Sequence, residues 1–182
     1  MSRILIIGGG PAGLAAAAIL PAARLLSRPA ETAWHAEPGL VWVEGPGGVA
    51  ALPFDRLLLC ADEPLLLLLA LGCAFADGRP VVDGQGRTTQ PGIHAAGAIL
   101  GAATAEAAAN QGRIAARAMA GLPAEGSIAV LPLPEGTAPE RLDPLAIAQL
   151  LEEPPGPDRN ARALAQAALR GPRLSSVTAP AR

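Results

Sequence analysis

Residues 4–13 of the chain read ILIIGGGPAG, and this stretch decides the fold. The continuous apolar run over residues 4–7 predicts a buried parallel strand, because a strand covered on both faces has no polar positions. The glycines then turn the chain into a helix, predicted over residues 11–26. Pro11 suits the first turn of that helix, where its missing N–H costs nothing. Pro21 lies inside the helical pattern and is expected to kink or end the helix.

Gly8, Gly10 and Gly13 match the pattern G-x-G-x-x-G between the predicted strand and helix. The first glycine allows the tight turn, the second lets backbone approach a pyrophosphate, and the third lets helix and strand pack closely. The amides and the dipole of a helix N-terminus favour a negative charge at the same place. We therefore expect this turn, together with Pro11 and Ala12, to bind a diphosphate. The alternative is a glycine-rich turn without a ligand.

An acidic residue about 20 positions later is expected to bind the hydroxyls of an adenosine ribose. Glu31 is the candidate at that distance, and Glu37 is a weaker one. Residues 27–30 read SRPA and make a poor second strand. Glu31 is therefore interpreted equally well as a ribose ligand and as an ordinary exposed carboxylate.

The remaining chain predicts a mixture of short strands and helices around a parallel sheet. A hairpin is expected from residues 40–44 and 49–52, a buried strand at 54–60, a short helix at 65–71, a small hairpin from 80–83 and 87–89, a strand at 93–96 and an alanine-rich helix at 102–120. The prediction is an α/β fold over residues 1–122 with a central parallel sheet and small hairpin or meander additions. Residues 123–182 predict a proline-rich linker and a short helical tail, with helices at 143–152 and 158–169.

Composition excludes several classes of function. The 182 residues carry a net charge of −2 with both signs scattered, so we expect no nucleic-acid partner. The apolar stretch over residues 65–76 is shorter than the ~20 residues of a membrane span, and no secretory or transit signal is apparent. We expect a bacterial cytoplasmic protein without a membrane partner.

The cysteines and histidines predict neither redox nor metal chemistry. Cys60 and Cys73 are too far apart for a C-x-x-C pair, and each lies in an apolar run that predicts an inert, buried thiol. His35 and His94 are the two histidines, and neither has carboxylates or cysteines at metal-ligand spacing. No residue qualifies as a catalytic acid, base or nucleophile.

Residues 87–97 read RTTQPGIHAAG and lead into the predicted helix, which contains Gln111-Gly112-Arg113. This stretch resembles the C-terminal FAD motif of the pyridine nucleotide-disulphide oxidoreductase class of flavoproteins, T-x-x-P-G-[IV]-[YFW]-A-A-G-D. With the amino-terminal glycine turn, the resemblance covers about the first 25 residues and residues 55 to about 121. It implies a Rossmann-like FAD-binding domain. The NAD(P)H domain that the family inserts, with its second G-x-G-x-x-G, has no counterpart in this sequence.

The resemblance also implies roles for single residues. Gly97 and Ala98 are expected to contact FAD through their backbone, and the helix predicted to begin near Ala102 is expected to present amides to an anion. Ala98 stands where the family has an acid that bonds the ribityl or pyrophosphate part of FAD, and losing that hydrogen bond costs about 1–3 kcal/mol. His94 occupies the family's aromatic position, which implies packing beneath the flavin edge.

These features predict an FAD-binding subunit of an oxidoreductase, with a second protein subunit as partner. The architecture is similar to a shortened form of the FAD subunits of multi-subunit amino-acid, opine or cyanide-forming dehydrogenases. The alternative is a non-catalytic scaffold subunit of the same fold that binds an adenine nucleotide, ATP or ADP, or no ligand. A degenerate gene product is a third possibility.

Overall fold

A computed structural model of the chain describes residues 2–61, 65–76 and 79–129. The elements follow one another as β1 (Ile4–Ile7), α1 (Pro11–Ile19), β2 (Arg24–Leu26), β3 (Thr32–Glu37), β4 (Leu40–Gly45), β5 (Gly48–Pro53), β6 (Arg56–Leu59), α2 (Leu65–Ala70), β7 (Phe75–Ala76), β8 (Arg79–Pro80), β9 (Ile93–Ala95), a 3-10 turn (Gly97–Leu100) and α3 (Ala105–Ala120). The helices predicted at residues 143–152 and 158–169 lie outside the described residues.

The centre of the described chain is a parallel sheet with the strand order β2-β1-β6-β9. Strands β1 and β6 occupy its middle, where continuous apolar sequence is needed because both faces are covered. Leu58 of β6 lies opposite Ile6 of β1 on one side and His94 of β9 on the other. The predicted α/β class with a central parallel sheet is confirmed, as are the buried strands predicted at residues 4–7, 54–60 and 93–96.

Alternation along the strands divides the core into two layers. Ile7, Leu57 and Leu59 point to one face, which is covered by α2 and by the antiparallel meander β3-β4-β5. Ile6 and Leu58 point to the other face, which is covered by α1 and α3. Each of these side chains is at most 5% exposed, and burying one such side chain contributes about 1.5–3 kcal/mol. The result is a three-layer arrangement of helices, parallel sheet and meander.

The first helix is shorter than predicted. Helix α1 ends at Ile19 with Leu20 as its C-cap, so the helix predicted to continue to residue 26 is wrong beyond that point. Pro21 cannot donate the backbone N–H that a continuing helix needs. Residues 24–26 instead form β2, which pairs in parallel with β1 and supplies the edge of the sheet that the sequence did not predict.

The hairpins and the short helix agree with the sequence predictions. Strands β4 and β5 pair in antiparallel register from Leu40 opposite Pro53 to Gly45 opposite Gly48, and β3 adds a third strand to this meander. The second hairpin closes through a bridge between Val82 and Thr88. The short helix predicted at residues 65–71 is α2.

The last helix begins later than predicted. Thr104 is its N-cap, and the Thr104 hydroxyl accepts a hydrogen bond from the Ala107 N–H at 3.1 Å. The helix start predicted at Ala102 is therefore wrong. The 3-10 turn and Gly101, which has a left-handed φ of +75°, separate the strand from the helix. The helix ends at Ala120, as predicted, and Gly121 caps it in the left-handed conformation.

The chain continues to pack on this body after α3. Ile128 is 3% exposed, and its N–H donates to the Gly84 carbonyl at 2.7 Å. The division of the chain at residue 122 stays a prediction, because residues 130–182 lie outside the described ranges.

Gly112 allows α1 and α3 to pack with their backbones close together. A Cβ at Gly112 would overlap the carbonyl oxygen of Ala12 and lie 2.8 Å from the Ala12 Cα. These are backbone atoms, which cannot move aside as the end of a flexible side chain can.

We predict that Gly112→Ala lowers the free energy of unfolding by about 1–3 kcal/mol, because overpacking outweighs the higher helix propensity of alanine. Chemical denaturation measures the change. Gly47→Ala is the matched control, because a Cβ at Gly47 meets no atom of the described chain within 4 Å beyond its neighbours. A Gly112→Ala protein more stable than wild type would contradict the close approach.

Candidate functional site

The amino-terminal glycine turn lies at the carboxyl edge of the sheet, where β1, β2 and β6 end together. Gly8 has a φ of +118°, and its N–H donates to the Leu26 carbonyl at the end of β2 at 2.9 Å. A Cβ at Gly8 would lie 2.9 Å from the Ala61 nitrogen just after β6. Glycine is thus required at residue 8 for two reasons: the backbone has a positive φ there, and the end of β6 leaves no room for a side chain.

Two further glycines of the turn lie in crowded surroundings, Gly13 against backbone and Gly9 against a side chain. A Cβ at Gly13 would overlap the carbonyl oxygen of Gly8, so that glycine holds the helix against the end of its own strand. A Cβ at Gly9 would overlap the Ser27 hydroxyl, which follows β2. A side chain at Gly13 would therefore push the helix away from Gly8, whereas a side chain at Gly9 would have to displace the Ser27 side chain.

Gly10 differs from the other glycines of the turn. Its backbone has a φ of −77° and a ψ of −173°, which any residue can adopt. A Cβ there would meet no atom of the described residues within 4 Å apart from its chain neighbours. Packing and backbone conformation in the described chain therefore do not require glycine at this position. The space in front of Gly10 is open to a ligand.

The same position is the N-cap of α1, and no side chain there accepts a hydrogen bond from the first turn. The first turn also contains no acidic residue. Pro11 has no N–H, so the amides of Ala12 and Gly13 are the donors of this turn that lack an intrahelical partner. Together with the helix dipole, these amides favour an anion at the end of the helix.

A cleft of ≈ 250 Å³ opens in front of the turn. Its lining includes Gly8, Gly9 and Gly10 of the turn and Ser27, Arg28 and Glu31 after β2. Glu31 therefore shares a cleft with the glycine turn, as expected for the acidic partner. Sequence reasoning missed Ser27 and Arg28 because it did not predict β2, after which both residues follow directly.

Glu31 is held in place from two directions. Its N–H donates to the Ser27 carbonyl at 3.0 Å, which closes the turn after β2. Its carboxylate accepts a hydrogen bond from the Arg24 guanidinium, and the Glu31 side chain is 27% exposed. One carboxylate oxygen is used in that pair, so the other can accept hydrogen bonds from a ligand. Glu37, the weaker candidate, contacts His35 on β3 instead.

The second segment predicted to contact the ligand, which begins at Gly97, lies close to the first turn of α1. Gly97 follows β9 with a φ of +80°, and a Cβ there would lie 2.6 Å from the Ala12 Cβ in the first turn of α1. The Gly97 N–H donates to the Gln111 side-chain oxygen at 2.8 Å. One amide expected to face the ligand is therefore occupied by the protein's own side chain. Gln111 stood out in the sequence within Gln111-Gly112-Arg113, but its partner depends on how α3 packs.

Ala98 and Ala102 are placed differently with respect to an anion. Ala98 is exposed within the 3-10 turn, so a ligand can reach its backbone. The Ala102 N–H donates to the Gly97 carbonyl at 3.2 Å, ahead of the helix rather than inside its first turn. Ala102 thus does not present the free helical amide that the sequence predicted.

Cys60 lies next to the glycine turn but has no reactive thiolate. Burial raises the pKa of the Cys60 thiol to about 12, so the group stays protonated. Cys73 is buried as well, and its thiol donates to the Thr88 hydroxyl at 3.4 Å. No group of three or more His, Cys, Asp or Glu side chains that could hold a metal ion occurs within residues 2–61, 65–76 and 79–129. No helix in this part of the chain is long and apolar enough to cross a membrane.

His94 is a buried polar residue on the α3 side of the sheet. It is 6% exposed, and neither ring nitrogen has a hydrogen-bond partner in the described part of the chain. The pKa of His94 is lowered from 6.5 to about 4, mainly by burial and also by the charges of Arg87 and Arg56, although Asp83 and the nearby Gly92 backbone act in the opposite direction. The ring is therefore neutral near pH 7. It lies in the middle of β9, away from the glycine cleft.

We predict that the protein loses stability as the pH falls from 6.5 towards 4. The unfolded chain protonates His94 within this window while the folded chain does not, so acid favours unfolding by up to about 3 kcal/mol. Denaturation of His94→Phe across the window should lack this part of the slope. His35→Gln is the control and should keep it. An unchanged slope in His94→Phe would show that His94 titrates normally.

Comparison with known proteins finds similarity in structure alone. The sequence matches no protein-family model and no curated protein. Similar solved structures include a thioredoxin reductase from Streptococcus pyogenes, with 16% identity, 66% of this chain and 52% of that chain covered, and a TM-score of 0.29. A thioredoxin reductase from T. acidophilum has 18% identity, coverages of 65% and 51%, and a TM-score of 0.29. The flavoprotein disulfide reductase RclA from Escherichia coli has 20% identity, coverages of 70% and 38%, and a TM-score of 0.32.

The chain thus spans about half the length of the two thioredoxin reductases and less than two fifths of RclA. At these identities and TM-scores, the similarities carry no information on the function of this chain. A functional proposal therefore has to rest on the residues of the glycine cleft.

Proposed function

We propose that the chain binds FAD through the adenosine diphosphate half of the cofactor and serves as the FAD-binding subunit of an oxidoreductase. The observation that carries this proposal is Gly10. It lines the cleft at the uncapped start of α1, although packing within the described residues leaves room there for a side chain. A ligand that approaches the backbone closely explains why glycine stands at this position.

The residues around Gly10 fit the two parts of an adenosine diphosphate. The amides of Ala12 and Gly13 would hold the diphosphate at the end of the helix dipole. Glu31, which lines the same cleft, would accept hydrogen bonds from the ribose hydroxyls through the oxygen not used by Arg24. A carboxylate alone would repel a diphosphate, so its pairing with Arg24 also limits that repulsion.

The chain's own residues bind and orient rather than react. When bound, FAD supplies the oxidation and reduction chemistry of such a subunit. Gly97 lies beside Ala12, so the turn after β9 would extend the binding surface from the diphosphate towards the flavin. The Cys60 thiol nearby is protonated and buried, so it is not a redox group. Substrate chemistry would therefore take place at a surface shared with a second subunit.

We predict that Gly10→Asp abolishes nucleotide binding without destabilising the fold. Aspartate is a favoured N-cap residue, so the free energy of unfolding should stay equal or rise by a few tenths of a kcal/mol. Its charge would face the diphosphate, and such like-charge contacts cost several kcal/mol, which corresponds to a more than hundredfold loss of affinity. Calorimetric titration with ADP and with FAD, and mass spectrometry of the ligand released from purified protein, measure the effect.

Asn110→Asp is the matched control for Gly10→Asp. It makes the protein equally more negative on an exposed position of α3 that does not line the cleft. This variant should retain wild-type affinity. Equal affinity of wild type and Gly10→Asp would overturn the proposed site.

A second candidate function is the binding of ADP or ATP by a non-catalytic scaffold subunit. Two observations at the other end of the site favour it. The Gly97 N–H already has a partner in Gln111, and Ala98 carries no carboxylate to bond the remainder of FAD. The site thus has amide donors and a carboxylate for adenosine diphosphate, whereas the turn after β9 has fewer free groups to bind the remainder of FAD. Release of ADP or ATP in place of FAD from colourless protein would favour this function.

We predict that Ala98→Asp separates the two functions. If FAD is the ligand, the added carboxylate restores a hydrogen bond and raises the affinity for FAD about tenfold, because one such bond contributes about 1–3 kcal/mol. The affinity for ADP should not rise with it, because ADP ends before this position. Parallel calorimetric titrations with both ligands provide the comparison. An unchanged FAD affinity in Ala98→Asp would favour the adenine-nucleotide function.

A further inference from the structure

A second cleft lies at the opposite edge of the central sheet from the glycine turn. It has a volume of ≈ 330 Å³ and is formed by the amino ends of β6 and β9, the hairpin over residues 82–88 and the last turn of α3. The glycine cleft lies at the carboxyl ends of the same strands. The two clefts share no lining residue.

His94 lines this cleft and is the one buried polar side chain in it. Its two ring nitrogens are buried and have no hydrogen-bond partner within the described ranges. A buried nitrogen without a partner costs free energy, and a bound ligand is one explanation for such an atom. The core on this face is otherwise built from alanine, isoleucine, leucine, methionine and Cys60, so packing alone does not call for an imidazole at residue 94.

Two arginines stand at the rim of the cleft. One N–H of Arg56 donates to the Met119 carbonyl at the end of α3. Arg87 lies 3.5 Å from an Asp83 oxygen, and both of these side chains are about half exposed. A guanidinium has five N–H donors, so each arginine has more donors than these contacts use. Asp83 is the carboxylate beside these arginines, so its one negative charge faces their two positive charges.

Burial is the main reason why the His94 ring is neutral near pH 7, and it lowers the pKa of the ring towards about 4. Arg87 on the hairpin and Arg56 on β6 also lower this pKa, whereas Asp83 and the Gly92 carbonyl, which lies near the ring without hydrogen-bond geometry, raise it. A neutral imidazole has one N–H donor. The cleft thus combines a positive rim with a buried donor in its floor.

We propose that this cleft binds a small oxyanion, a carboxylate or phosphate group, between Arg56 and Arg87 with the N–H of His94 as a further donor. The planar fork of arginine matches the two oxygens of such a group. The volume of this cleft is within the range of small-molecule binding sites. Binding would require the His94 ring to rotate, because His94 lines the cleft but both of its ring nitrogens are buried.

The experiment uses the full chain labelled with ¹³C and ¹⁵N in histidine. The chain contains two histidines, so His35 on the meander serves as an internal reference. Sodium phosphate and sodium succinate are the probes, and sodium chloride at equal ionic strength is the control. We expect a saturable change in the His94 ring signals with at least one probe, and a raised His94 pKa, because a bound anion stabilises the imidazolium. His35 should respond no more than it does to sodium chloride.

Variants at the rim then test the contacts. Arg87→Gln should weaken binding of the responding probe at least about tenfold, because a charge-assisted hydrogen bond is lost. Arg113→Gln, which removes an exposed arginine of α3 outside the cleft, should leave the affinity unchanged. Arg56→Gln provides a second rim variant, with thermal unfolding measured alongside because it also removes the bond to Met119. His94 signals that respond to neither probe, or full affinity in Arg87→Gln, would overturn the proposal.

Discussion

Helices α1 and α3 pack almost backbone to backbone, and the rest of the site depends on that contact. It is possible because Gly112 presents no side chain to Ala12. The same contact places Gly97, at the end of β9, against the first turn of α1. Two segments more than 80 residues apart in sequence thereby reach the same end of the sheet. A larger residue at the crossing would separate the turn after β9 from the glycine turn.

The glycines of the amino-terminal turn serve different purposes, and their surroundings tell them apart. Gly8 and Gly13 are needed by the fold, because a side chain at either would meet backbone atoms, whereas a side chain at Gly9 would meet the Ser27 side chain. Gly10 faces open space at an uncapped helix end. Packing thus accounts for Gly8 and Gly13 but leaves room for a side chain at Gly10, and the proposed ligand rests on that difference. The two edges of the sheet also differ in chemistry, with backbone amides at the carboxyl edge and arginines around a buried histidine at the amino edge.

Much of this arrangement could be predicted from the sequence, where local signals were strong. The apolar run over residues 4–7, the glycine turn and the glycine-rich hairpin turns each specify their own structure through periodicity or backbone freedom. Strand β2 could not be predicted in the same way, because it is three residues long and gains its stability from pairing with β1. The start of α3 was misplaced for a similar reason. Alanine-rich sequence favours helix throughout residues 102–120, and the cap at Thr104 decides where the helix begins.

The backbone segments of the candidate site could be predicted from the sequence, whereas the contacts of its side chains could not. Glu31 could be proposed from spacing, but its pairing with Arg24 depends on β2. The bond from Gly97 to Gln111 depends on the rotation of α3, for which the sequence offers no direct signal. Long-range contacts of this kind are set by packing rather than by local propensity.

The central claim is that the amides at the start of α1 bind a diphosphate. Titration of ¹⁵N-labelled protein with ADP, followed through backbone amide signals, tests it most directly. Binding at this site predicts that the largest shifts fall on Gly9, Gly10, Ala12 and Gly13, with smaller shifts at Ser27 and Glu31 across the cleft. Signals of the glycine turn that stay unchanged at saturating ADP and FAD would contradict it.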